Sequence, residues 1–255
     1  MKNTLFLFLF SLFFVACGND SSTSANNSDD GDSSSKSSSS QKTISSSSDR
    51  VTEPAEVTTG IMTDARDGQN YRTIKIGMQT WMAQNLNYES AGSYCYNDSA
   101  SNCAKYGRLY TWAAAMDSAG TWSSNGKGCG YGKTCSPTYP VRGVCPDGWH
   151  LPTQMEWNTL FMAVGGQSIA GKKLKSLSGW DSDGNGTDDF LFSALPAGNR
   201  FGLGGYGNEG ITEFWSSTED VSRKAYFMYL YFTLDDANLH NDNKNYGFSV
   251  RCLKD

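Results

Sequence analysis

Six cysteines in the later part of this chain, Cys95, Cys103, Cys129, Cys135, Cys145 and Cys252, restrict what it can fold into more than any other feature, provided that it matures in an oxidising compartment. The N-terminus says that it does. Lys2 supplies a positive charge, and Leu5 to Val15 is an almost unbroken apolar run of 11 residues, too short to span a hydrocarbon core of ~30 Å as a helix. Such a run reads as the core of an export signal, not as a membrane anchor. In an exported chain an even number of cysteines argues for disulfides, and six allow 15 pairings. By spacing, Cys95–Cys103 and Cys129–Cys135 are close partners around glycine- and asparagine-rich turns, each worth roughly 2–3 kcal/mol in loop-closure entropy. That leaves Cys145–Cys252, which closes a loop of about 100 residues and is worth up to ~4.7 kcal/mol on the same footing. Zinc is the competing reading, but no CxxC pair is present and the only histidines are His150 and His240.

Directly after the apolar run, Val15-Ala16-Cys17-Gly18 resemble the lipobox read by the lipoprotein signal peptidase, in which small residues precede a cysteine whose thiol receives diacylglycerol. Phe14 departs from that pattern, where leucine is usual. The resemblance implies removal of residues 1–16 as a signal peptide and acyl chains such as palmitate on Cys17, with an ordinary secretory signal as the alternative. Removal of one lysine leaves 20 basic against 26 acidic residues, a formal charge of −6. A weakly acidic chain without a basic run offers no footprint for nucleic acid and nothing for anionic lipid to hold. The lipid itself is therefore the expected link to the membrane, and two or three acyl chains make that link durable where one would not. The expected location is the cell envelope, at the outer membrane, on its periplasmic or cell-surface side.

Residues 17–60 change character, with serine runs at 33–35, 37–40 and 45–48, an acidic Asp29-Asp30-Gly31-Asp32, and no aromatic residue before Tyr71. A stretch of this kind cannot bury enough apolar surface to offset its ordering entropy, so it reads as a disordered tether. At roughly 40 residues its r.m.s. reach is about 35–40 Å, enough to clear a lipid headgroup layer. The acidic cluster is either a solvated part of that linker or a sorting signal for the outer surface.

Residues 61–255 form one block, long enough for a single well-buried core. Alternation in Tyr71–Ile76 and Gln79–Met82 around Gly77-Met78 predicts a hairpin, with Asp67-Gly68 turning the chain before it. Tyr106–Met116, rich in alanine, predicts a helix. Thr153-Gln154-Met155-Glu156 is a capping box for a helix reaching about Val164, with Trp157, Leu160, Phe161 and Val164 facing inward. Short strands are expected at 190–195, 213–217, 225–234 and 247–253, the third apolar on both faces as a central strand is. Two to three helices with short antiparallel strands and long disulfide-stapled loops make an α+β domain.

Several runs in this block carry a family likeness: Asp67-Gly68-Gln69, Ile74-Lys75-Ile76-Gly77, Trp81-Met82-Ala83-Gln84-Asn85-Leu86-Asn87, Tyr106-Gly107-Arg108-Leu109-Tyr110-Thr111-Trp112, Cys145 to Thr153, Phe192 to Gly198, Phe214-Trp215-Ser216-Ser217 and Ser249-Val250-Arg251-Cys252. Together they resemble the Fibrobacter succinogenes major paralogous domain over nearly all of residues 61–255. That family is similar in turn to the C-type-lectin-like and formylglycine-generating (sulfatase-modifying) fold, through Leu151–Trp157 and the terminal Arg-Cys strand. The likeness implies a C-type-lectin-like fold and agrees with a Cys145–Cys252 clasp.

Two features point to ligands. Asp181, Asp183, Asn185, Thr187 and Asp189 place oxygens at positions 1, 3, 5, 7 and 9 of a calcium-loop pattern with Gly186 at position 6. Phe192 occupies position 12, where a bidentate glutamate belongs. The stretch is thus either a weak calcium site or an acidic Asx-rich turn. The chain also has seven tryptophans, whose faces can stack on sugar rings. Most belong to core-forming motifs, whereas Trp122 and Trp180, set among serine, glycine and aspartate, are the expected exposed platforms. No pair of carboxylates and no nucleophile with its base stands out, Glu156 being the helix cap and His150 a structural residue between Trp149 and Leu151, so no catalysis is expected. The cysteines read as paired, which argues against formylglycine-generating chemistry. The sequence therefore predicts a lipid-anchored binding module for polysaccharide or another cell-envelope or extracellular partner; a purely structural or protein-interaction lipoprotein is the alternative.

Overall fold

The computed structural model describes residues 57–207 and 210–255. The export signal, Cys17 and the serine-rich tether lie outside the described residues. The chain starts as an antiparallel meander of β1 (Thr58–Thr63), β2 (Asn70–Ile76) and β3 (Gln79–Met82). β1 crosses the boundary at residue 60 that composition alone suggests. The Gly77-Met78 turn is as expected: Ile76 pairs with Gln79, and Gly77 takes φ 59°, a left-handed value that favours glycine. The very end of the chain, β13 (Leu253–Lys254), pairs with β3 on one side and with β6 (Trp149–His150) on the other. The sheet therefore joins the start, middle and end of the domain.

A second sheet runs β11 (Asn238–Asn243), β10 (Lys224–Tyr231), β9 (Ile211–Val221), with β10 at its centre. Adjacent residues on these strands serve opposite faces, as the two-residue period of a strand requires. Trp215 and Phe227 enter one hydrophobic cluster, with Tyr110, Trp112, Phe248 and Val250. Phe214 and Met228 enter another, with Ile74, Trp81, Trp157 and Phe192. The expectation of a central strand apolar on both sides thus holds for Ala225–Leu230. The third sheet is built from the short strands β4 (Ser93–Tyr94), β5 (Leu109–Thr111), β12 (Gly247–Phe248), β7 (Asn199–Arg200) and β8 (Tyr206–Gly207).

Four α-helices are present among the described residues, one more than the upper expectation: α1 (Ala100–Tyr106), α2 (Trp112–Ala115), α3 (Gln154–Ala163) and α4 (Gln167–Leu174). α3 is the helix read from the sequence. The Thr153 hydroxyl accepts from Glu156 N at 3.2 Å and the Glu156 carboxylate accepts from Thr153 N at 2.8 Å. Its buried face, Trp157, Leu160 and Phe161, packs with Trp81 stacked on Trp157 at 4.6 Å.

The helix expected over Tyr106–Met116 is instead the end of α1, then β5, then α2. Gly107 breaks it with φ 75°, and Leu109–Thr111 gain more from pairing with β4 and β12 than helix propensity offers. The strand expected at 190–195 is irregular. Leu191 and Ser193 have φ 56° and 52°, and their segment is held by side chains, with Asp188 accepting from Ser193 N at 2.7 Å. Likewise 247–253 is two short strands in two sheets. The architecture is α+β, and its disulfides are Cys95–Cys103, Cys129–Cys135 and Cys145–Cys252, with Cα separations of 4.8, 5.0 and 5.9 Å.

Candidate functional site

Four of the sequence runs singled out above, far apart in the chain, meet around one residue. Arg251, buried to 1% exposure, donates from Nε to Asn85 Oδ1 at 2.8 Å, from one terminal nitrogen to the Phe192 carbonyl, and from the other to the Ser193 carbonyl at 3.1 Å. Its guanidinium lies 4.2 Å over the Phe192 ring. Asn85 in turn donates to the Tyr106 carbonyl at 2.8 Å and to Ser249 Oγ at 3.2 Å. Leu86 N bonds the Val250 carbonyl, and Arg108 N bonds the Leu86 carbonyl. The backbone of 85–88 is thus laid between the chain end and the residues after α1. Gly107 is required here for space as well as for φ, because a Cβ on it would stand 2.7 Å from Asn85 Cβ and 2.9 Å from Leu86 O.

These contacts floor a cleft of about 180 Å³ whose lining includes Tyr71, Gln84, Asn85, Asn87, Tyr106 and Ser193. The Tyr71 hydroxyl accepts from Asn87 N at 3.0 Å, and burial pushes its pKa up to about 12, so it stays protonated. Burial lowers the Arg251 pKa to about 9, the charge of Asp188 opposing this and that of Arg72 adding to it, which leaves a cation at neutral pH. Cys103 lines the same cleft, so the Cys95–Cys103 bond fixes α1 at its edge.

The two tryptophan candidates part company. Trp180 is buried at 5% exposure, because its indole Nε1 donates to both Ser176 Oγ and the Ala194 carbonyl at 3.0 Å; it is not an exposed platform. Trp122 is half-buried. Its N–H and those of Thr121 and Ser123 are gathered by the Asp117 carboxylate, and its ring meets Tyr88 edge-on at 5.5 Å with the Arg66 guanidinium 3.9 Å over Tyr88. The other five tryptophans are buried.

Two of the five candidate calcium ligands, Asn185 and Thr187, have their side chains engaged in hydrogen bonds of the acidic turn. Ser182 and Asp183 take φ 50° and 60° and close a tight turn in which Gly184 N bonds the Asp181 carbonyl. Asn185 Oδ1 accepts from Trp180 N at 3.1 Å, Thr187 Oγ1 donates to the Lys172 carbonyl, and the Lys172 ammonium sits on the Asn185 carbonyl at 3.1 Å. Asp181, Asp183 and Asp189 are exposed, and among the described residues no three His, Cys, Asp or Glu side chains group as metal ligands. Of the side chains that the pattern supplies, Asn185 and Thr187 are turned to hydrogen bonds within the fold, and the three aspartates face outward.

His150 is buried between two carboxylates, Nδ1 at 2.6 Å from Asp255 and Nε2 at 3.0 Å from Glu156. Burial opposes its charge, but hydrogen bonds and charge from Glu156 and Asp255 outweigh burial and raise its pKa. Both ring nitrogens are occupied in a clasp between the chain end and the start of α3.

A model of the Fibrobacter succinogenes major domain matches residues 74–254. The chain belongs to that family. Every run that converges on Arg251 lies inside the matched span of the family domain, while Gln69, Tyr71 and Arg72 of the cleft lining lie just before it. No curated protein and no solved structure matches the chain, so the C-type-lectin-like likeness rests on Leu151–Trp157 and the terminal strand alone. Sequence reasoning named the runs that build the cleft but none of its residues as a site, because asparagine, glutamine and a single arginine in separate motifs carry no spacing signal of their own.

Proposed function

We propose that the chain is a lipid-anchored, extracytoplasmic binding module that takes a polysaccharide or another envelope or extracellular partner and does no chemistry on it. Cys17 carries the acyl chains, residues 17–60 act as spacer, and the family domain presents the cleft. The observation that carries the reading is the convergence of four motif runs on a cleft lined by amides, hydroxyls and a buried guanidinium, groups that exchange hydrogen bonds with a polyhydroxylated ligand in place of water. The His150 ring, the group best suited to proton transfer, has both nitrogens engaged.

Burial of six tryptophans favours the second reading, a structural or protein-interaction lipoprotein whose aromatics serve the core. A glycan array probed with the full chain in detergent micelles, with and without calcium, separates the two: saturable binding to a glycan class supports the module, and silence across the array supports the alternative. Hydrolysis of any arrayed glycan would contradict both. Mass spectrometry of the membrane-extracted protein should find diacylglycerol on Cys17, and Cys17→Ala should release the chain from membranes.

A further inference from the structure

We infer that the cleft selects an acidic sugar, with the sugar carboxylate held between Arg72 and Arg251; this deepens the binding reading above and rests on it. The chain carries a formal charge of −5, yet the cleft is lined by Arg72, Lys105 and Arg251 and by no aspartate or glutamate. Among the described residues, ion pairs are formed by Arg66, Arg108, Arg142, His150 and Lys244, and by none of these three. Arg251 meets only neutral acceptors, Asn85 Oδ1 and two carbonyls. The Arg72 side chain is exposed and makes no hydrogen bond or ion pair among the described residues, and its charge is felt at Arg251 as a repulsion. Asp188, outside the lining, is the carboxylate whose charge reaches both arginines; the lining itself presents cations only, and a guanidinium pair suits a carboxylate through bidentate bonding.

A second observation asks for hydroxyls beside that charge. Asn87 Oδ1 is buried without a partner, and Asn87, with Cys103 and Ala104, is shared between this cleft and a neighbouring hollow of about 520 Å³ that holds Tyr88, Arg66 and Arg108. There the arginines are already neutralised, Arg66 by Asp64 and Arg108 by Glu89. The groove thus runs from a cationic end with no carboxylate in its lining, past an unsatisfied amide oxygen, to a charge-balanced end with a tyrosine ring. That order matches an acidic residue followed by further sugar units, with Asn87 accepting from a hydroxyl that water would otherwise satisfy.

Isothermal titration of the full chain in detergent micelles with an oligogalacturonate, its methyl-esterified form and a neutral cello-oligosaccharide tests the inference. The acid should bind at least tenfold tighter than its ester and weaken with added salt. Arg72→Gln with Lys105→Gln, both exposed and outside the core, should cost tenfold or more in affinity at an unchanged melting temperature. Arg142→Gln, outside the groove, should cost nothing. Equal binding of acid and ester, or of neutral sugar alone, would overturn the anionic assignment and leave the binding reading standing. Failure of all three saccharides would overturn the assignment, and silence of the glycan array would then remove the polysaccharide part of the binding reading as well. Full displacement of the acid by millimolar inorganic phosphate would overturn the sugar assignment in favour of a plain anion site.

Discussion

Glu213 sits in β9 at 7% exposure, with one carboxylate oxygen accepting from Asn199 Nδ2 at 2.8 Å. Burial raises its pKa from 4.5 to about 7; the Asn199 hydrogen bond opposes this and the charge of Asp242 adds to it. In the unfolded chain the group ionises above 4.5, whereas in the fold it keeps its proton to about 7. Between those values the unfolded state binds fewer protons, so stability must fall as pH rises. The rise from 4.5 to about 7, at 1.36 kcal/mol per pH unit, amounts to a loss of about 3 kcal/mol that is complete above the folded value. Glu213→Gln keeps the shape and the acceptor for Asn199 but cannot ionise. Urea unfolding of both chains from pH 4 to 8.5 should give curves that coincide near pH 4 and diverge until the variant is about 3 kcal/mol more stable at pH 8. His150 titrates in both chains and cancels from the difference. A constant offset across the whole range would refute the reasoning.

The disulfides should rank by the loops they close. Replacing Cys145 and Cys252 by alanine, 107 residues apart, should cost about 5 kcal/mol by denaturant unfolding, against roughly 2–3 kcal/mol for either short pair; equal losses would contradict this. The His150 clasp, with its raised folded pKa, should stabilise fully below the unfolded value of 6.5 and fade as pH rises through the folded one. Glu156, whose lowered pKa reflects hydrogen bonds from His150 and Thr153 outweighing burial, should lose its share as pH falls through its folded value. His150→Gln should flatten the alkaline limb of melting temperature against pH. Thr153→Ala should cost ~1 kcal/mol in thermal or urea unfolding, from loss of one half of the capping box on α3.

What could be read in advance followed from local rules. Two turn residues between alternating strands gave β2 and β3, and a hydroxyl three residues before a carboxylate gave α3. The places that resisted are those where distant partners decide. Leu109–Thr111 have a helical look, but β12, over 130 residues later, claims them as a strand. Phe190–Leu195 look like a strand, but Arg251, Asp188 and Trp180 bond the segment into left-handed turns that no local pattern announces. Trp180 stands among polar residues in sequence and is buried in space for the same reason: its partners, Ser176 and Ala194, come from both sides of the loop it plugs. The acidic loop matches a calcium pattern by residue type, and two of its five candidate side chains, Asn185 and Thr187, serve the turn. The cleft was hidden because its chemistry is divided among four runs, and only the fold brings Asn85, Tyr106, Ser193 and Arg251 together.

Hydrogen–deuterium exchange of the full chain, with and without a saturating oligouronate, tests the central claim that this convergence is a binding site. Ligand should slow exchange in residues 83–88, 103–108 and 192–195 and leave the acidic turn at 181–189 unchanged. Protection confined to other surfaces, with these three segments unaffected, would contradict it.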